Sequence, residues 1–238
     1  MRQGSVVAAE LLKLRGLPIV PATVLGTIGV AIVLAAGISA STRTAITPGQ
    51  TLVAIVPFLQ IGTILLGILT VATEYQGSQF RTTLTATPAR LRLLAAKALA
   101  YLLVATITSA AAVGAALSAA VITLAIRDSA PSEHANGWSM AGAAIYLVVI
   151  GLLALALTVL LRSLIPPLVA MLALVLIVSP LVAGSTEHAR WLPDRAGSLL
   201  YLAESDTVLT AGTGVFVMLA WTTAVAIAAA STFLSRDA

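Results

Sequence analysis

Polar and hydrophobic positions in this chain do not mix evenly. Long apolar runs alternate with short polar ones. A helix needs about 20 mostly apolar residues to cross a bilayer. Six runs meet that length, at about 18–40, 50–73, 97–124, 141–161, 164–184 and 209–234. Between them lie STRTAITPG, EYQGSQFRTTLTATPARLRLLAAK, IRDSAPSEHANGW, LRS and STEHARWLPDRAGSLLYLAESD, which hold most of the charges and turn residues. The pattern predicts an all-α membrane protein with a helix over 1–17 and a single six-helix transmembrane domain over 18–238. Its longest connections are 74–96 and 185–208.

Two polar segments carry helical patterning of their own. In 1–17, Val7, Leu11 and Leu14 share one face, with Glu10 and Lys13 on the polar side. This reads as an amphipathic helix lying on the membrane surface. It is not read as a cleavable leader, because Arg2, Glu10, Lys13 and Arg15 precede a run too long for a signal peptide. In 74–96, Thr87-Pro88 is a helix start: a hydroxyl cap, then proline at the first helical position. A helix from 88 to 124 would be about 55 Å long, against a hydrocarbon core of about 30 Å. Its first turns must stand outside that core. Ser78 to Ala86 predicts a short helix with Phe80 and Leu84 stacked at i, i+4 and Arg81 beside them. Pro57 falls inside the second run and predicts a kink there.

Composition agrees with the pattern. The chain is 59% hydrophobic and 9% charged, against about 25% charged in soluble domains. Mean hydropathy is +1.05. Cysteine is absent, which excludes disulfides, thiolate metal sites and a cysteine nucleophile. The isoelectric point of about 10.0 reflects cations that set topology, not a nucleic-acid surface. With the N-terminus placed in the cytoplasm, nine cations fall inside: Arg2, Lys13, Arg15, Arg81, Arg90, Arg92, Lys97, Arg162 and Arg236. Four fall outside: Arg43, Arg127, Arg190 and Arg195. The bias predicts both termini and the 74–96 loop in the cytoplasm, and 185–208 outside.

Several chemistries are disfavoured. No span carries Asp, Glu, Arg or His in its middle, which weakens an ion-coupled carrier. Both histidines, His134 and His188, lie in outside loops, and neither has a partner at i, i+4 for a metal. Ser185 and His188 are close in sequence but lack the orienting frame of a hydrolase. No GxxxxGK[ST] occurs; the two lysines are followed by Leu14 and Ala98. ATP therefore has no P-loop here, and no enzymatic activity is expected of this chain. Glu10 or Glu74 is expected to pair with a nearby arginine.

The loop E-Y-x-G-[ST]-x-x-R-T-T-L…T-P-x-R…K-A, following the second of six spans and an amphipathic N-terminal helix, resembles the ABC-2 type permeases. These are membrane subunits of ABC exporters of the type V fold. Glu74, Tyr75, Gly77, Ser78, Arg81, Thr82, Thr83, Leu84, Thr87, Pro88, Arg90, Ala96 and Lys97 carry the likeness, with Ser78 where threonine is common. The local match covers about a tenth of the chain and the topology all of it.

The resemblance implies a coupling helix at 77–86 docking on a separate ATPase. Glu74, Tyr75, Gly77, Ser78, Phe80, Arg81, Thr82, Thr83, Leu84 and Arg90 form the expected coupling site. It implies two ATPase copies carrying ATP and Mg, a second permease chain, identical or homologous, and no cofactor in this chain. The expected setting is a bacterial plasma membrane. The substrate path would run between the permease chains, lined by Phe58, Gln60, Thr63, Met171 and Leu174. An apolar path suits an amphiphilic or hydrophobic cargo: a drug, an antimicrobial peptide or a lipid-like molecule. Short re-entrant helices are expected in 185–208, where Trp191, Leu192, Leu199, Leu200 and Tyr201 seek an interface. The alternatives are a non-transport membrane scaffold and an ion-coupled secondary carrier.

Overall fold

The computed structural model describes residues 3–41, 46–75, 90–127, 137–202 and 208–235. Helices account for these segments, and no strand occurs among the described residues. Helix α1 spans Gln3–Gly16, α2 Ile19–Ser41, α3 Pro48–Tyr75, α4 Arg90–Ile126 and α5 Gly137–Leu161. The fifth span is α6 (Ile165–Ala173), a π-helical turn (Leu174–Val178) and α7 (Ser179–Ser185) in direct succession. A 3₁₀ turn (Glu187–Trp191) and the short α8 (Pro193–Ser198) then lead to α9 (Ala211–Ser235).

Six helical stretches are long and apolar enough to cross a membrane: Ile19–Ser41, Pro48–Glu74, Leu91–Ile126, Trp138–Leu161, Ile165–Ser185 and Ala211–Thr232. The architecture is that of a multi-pass membrane protein. Helix α4 has 37 residues, about 55 Å, so it outruns a bilayer core.

Local chemistry explains several boundaries. Helix α3 opens with a reciprocal cap: the Thr47 N–H donates to Gln50 Oε1 (3.0 Å) and the Gln50 N–H to Thr47 Oγ1 (3.2 Å). Helix α3 stays helical through Pro57, and Gln60 Nε2 donates to the Pro57 carbonyl at 3.0 Å. The π turn stands just before Pro180. Proline has no N–H, and its ring crowds the carbonyl four residues back. The wider turn, in which the Ser179 N–H donates to the Leu174 carbonyl, accommodates both effects. At the end of α4, Arg127 donates to the carbonyls of Ser39 (3.1 Å) and Ala40, holding the last turn of α2.

Helices α3 and α5 are the most enclosed spans; α2, the fifth span and α9 are the least. One core cluster packs Leu52, Ile55 and Leu59 of α3 with Tyr146, Leu147 and Ile150 of α5 and Met171 of α6. A second, towards α1, gathers Leu14, Val20, Leu66, Leu69, Tyr101 and Leu155. Helices α3 and α5 approach closely because Gly67 meets Gly151. A Cβ on Gly67 would lie 2.1 Å from the Gly151 carbonyl oxygen. Interior threonines return their hydroxyls to their own helix, as Thr70 does to Leu66 (2.8 Å) and Thr158 to Ala154 (2.7 Å). The hydroxyl hydrogens of these threonines are thereby paired within their own helix.

Candidate functional site

At the α1 end of the bundle, three helices bring four charged side chains together. Glu10 and Lys13 are one turn apart on α1, Glu74 is the penultimate residue of α3, and Lys97 lies in the second or third turn of α4. Lys97 Nζ donates to Glu10 Oε2 at 2.8 Å and to Glu74 Oε1 at 2.5 Å. Lys13 Nζ donates to the same Glu74 oxygen. Glu10, Glu74 and Lys97 are buried; Lys13 is partly exposed. Two acids face two lysines, so the node is charge-balanced. That balance is what makes burial tolerable, since removing one partner of a buried pair strands the other in a low-dielectric site. Glu74 Oε2 is buried and takes no hydrogen bond from the described residues.

This arrangement revises two expectations. The partners of Glu10 and Glu74 are lysines, not arginines. An ammonium is compact and directs three hydrogens in different directions, so one Lys97 serves carboxylates from two helices where a planar guanidinium would need more room. The acid of α1 also does not face outward, although Arg15 is exposed. Glu10 turns in beside buried Leu14, while Leu12 is the most exposed large apolar side chain of that helix. Lys13 and Lys97 are the members that residue patterning missed. The available signal was that the chain, with eleven arginines by count, keeps its two lysines within one helical turn of an acid or of a loop stem.

Of the expected coupling residues, Gly77, Ser78, Phe80, Arg81, Thr82, Thr83 and Leu84 lie outside the described residues, as does the short helix assigned to 77–86. Tyr75 is the last residue of α3 and Arg90 the first of α4; their side chains also lie outside the description. Glu74 is fully buried in the node. Its Oε1 accepts from Lys13 and Lys97, which ties the end of α3 to α1 and α4.

The expected path residues do not share one face. Phe58 is exposed, whereas Gln60, Thr63 and Met171 are buried within the chain's own core. Positions 58, 60 and 63 diverge around α3 because successive residues turn by about 100°. Leu174 opens the π turn and is half-buried. Gln60 accepts a hydrogen bond from the Tyr146 hydroxyl. Thr63 Oγ1 donates to the Gln60 carbonyl at 3.1 Å.

A second polar cluster sits at the opposite end. Helix α8 tucks against α9 and α5. Gly197 makes this possible: a Cβ there would lie 2.6 Å from Met218 Sδ and 2.7 Å from the Tyr146 ring. Tyr201 stacks on Tyr146, centroids 5.3 Å apart and planes tilted by 56°. Arg195 Nε donates to Ser179 Oγ at 3.1 Å. Asp194 is buried beside them. Burial pushes its carboxyl above the usual range, opposed by a hydrogen bond from Ser179 and the Arg195 charge. Burial, with Asp194 nearby, also raises the Tyr201 phenol. The described part of the 185–208 connection thus carries short helical turns over 187–198, with Leu200 and Tyr201 buried while Trp191 is exposed. Trp221 Nε1 donates to the Trp191 carbonyl at 2.9 Å. Ser185 spends its hydroxyl on the Leu181 and Val182 carbonyls, each at 3.2 Å.

Compared with protein-family models and with curated proteins, the chain matches none.

Proposed function

We propose that this chain is the permease subunit of an ATP-driven exporter of the ABC-2 type, working as a pair of permease chains on two copies of a separate ATPase. Both termini and the 74–96 loop then face the cytoplasm of a bacterial cell, as the cation bias favours. Helix α1 is the connecting helix, and 77–86 is the coupling helix that docks on the ATPase. ATP and Mg belong to that partner. The cargo class is amphiphilic or hydrophobic: a drug, an antimicrobial peptide or a lipid-like molecule.

The observation that carries this reading is the buried ionic node. Glu74 ends the helix entering the loop, Lys97 belongs to the helix leaving it, and Glu10 and Lys13 belong to α1. A push on the loop would reach α3, α4 and α1 as one body. Coupling to a motor domain needs such a connection, since displacement at a contact is lost if its supports move independently. The loop motif and the missing P-loop supply the rest.

The test is co-expression with the products of the genes adjacent to its own, among which an ATPase is expected. A stable complex whose hydrolysis responds to the permease is expected. A chain that purifies alone, as a monomer whose loop is dispensable, would instead be a membrane scaffold. Transport that continues without ATP and collapses with an ion gradient would make it a carrier.

A further inference from the structure

A lateral groove of about 450 Å³ lies between α4, α5 and α9 in the half of the bundle nearest α1. Its volume is within the range of small-molecule sites. Buried Leu155, Ala156 and Val159 of α5 make the floor, and exposed Leu91 and Ile227 stand on opposite rims. Along α9 the lining runs from Leu219 to Ala230, about 16 Å. The lining holds no charged residue, and the buried Thr222 hydroxyl is spent on the Met218 carbonyl at 2.9 Å.

Two cations flank one end of the groove. Arg92 follows Leu91 in the first turn of α4 and is exposed. Arg162 follows Val159 by three residues, and its guanidinium donates to the Thr232 carbonyl (3.2 Å), two residues past Ala230. An apolar channel about as long as an acyl tail, ending at two cations near the level where a bilayer places its phosphates, has the chemistry of an anionic lipid. Small Ala95, Ala98 and Ala226 in its lining leave room for a chain between the helices.

We propose that this groove holds one acyl chain of an anionic phospholipid from the leaflet on the α1 side, its phosphate facing Arg92 and Arg162. The site rests on the spans crossing a bilayer and does not depend on ATP-driven export. Because the cytoplasmic leaflet is the anionic one, occupancy is also the outcome expected from the proposed orientation.

Native mass spectrometry of the detergent-purified full chain tests it, with phosphatidylglycerol and phosphatidylcholine of identical tails. One retained phosphatidylglycerol is expected, favoured roughly tenfold over phosphatidylcholine, with Arg92→Gln lowering that preference about fivefold. Ala226→Trp fills the groove and should abolish retention of both lipids. Because that variant risks misfolding, Thr223→Cys offers a second route. The chain has no other cysteine, so a bulky maleimide added to the folded protein blocks the groove alone and should displace the lipid. No retention by the wild type, equal retention of both lipids, or retention unchanged after labelling would overturn the assignment. So would a second copy of this chain that dissociates on labelling. ATPase association, measured on the same preparation, reports separately on the proposed function.

Discussion

Lys97 places one ammonium between two carboxylates from different helices, and among the described residues Lys13 is the other cation paired with them. Lys97→Met is therefore expected to leave Glu10 without this partner and Glu74 with Lys13 alone among the described residues. A loss of about 3–5 kcal/mol is expected, as for other broken buried pairs, read as a lower midpoint in detergent unfolding. Adding Glu10→Gln should recover part of it, because the stranded charge is then gone. An unchanged midpoint in the single variant would remove the node as a structural element. Asp194 is the opposite case, a buried acid whose folded-state affinity for its proton is raised. The folded state then binds more protons than the unfolded chain above the ordinary carboxyl pKa of about 3.9. Stability should fall as pH rises from there through the raised value, and level off beyond it. Melting temperatures across pH 4 to 7 are expected to show that decline, and Asp194→Asn to flatten it.

At the scale of elements, the end of α5 is held by an unusual residue. Arg162 adopts φ 50°, a region that costs an ordinary L-residue about 1–2 kcal/mol. Its N–H still donates to the Thr158 carbonyl at 2.8 Å, closing the helix, while its guanidinium reaches α9. Arg162→Ala keeps the backbone strain and loses the tie; Arg162→Gly loses the tie but relieves the strain. The glycine variant should be the more stable by about 1 kcal/mol in thermal unfolding, and the reverse order would contradict this view of the turn. The spans themselves were legible in the sequence, because a bilayer demands unbroken apolar length and little else. The π turn was half legible, through Pro180. The seating of α8 was not, because Ala196, Gly197 and Tyr201 become core only when Met218 and Tyr146 come to meet them, and no local period announces that. The node was hidden for a similar reason: its bonds join residues 61, 23 and 87 positions apart.

For the whole molecule, the enclosed helices α3 and α5 form a core against which α2, α4, the fifth span and α9 pack, and α1 packs on α4 and α2. The node connects the α1 end of that core to the loop proposed to receive work. The loop motif was legible, but the loop's docking is a property of the proposed complex and not of this chain's own packing. Coupling and unfolding should respond to different residues: node variants change both, whereas loop variants change coupling alone. The decisive measurement is ATP hydrolysis and cargo transport in vesicles holding this chain, wild-type or Arg81→Ala/Leu84→Ala, together with the ATPase proposed as its partner, sought among the products of the adjacent genes. The expected result is a complex in which the wild type links hydrolysis to transport, and a double variant that inserts normally while transport falls by an order of magnitude or more, roughly the loss of 1.4 kcal/mol or greater in coupling. Failure of the ATPase to associate, or full coupling in the double variant, would contradict the account.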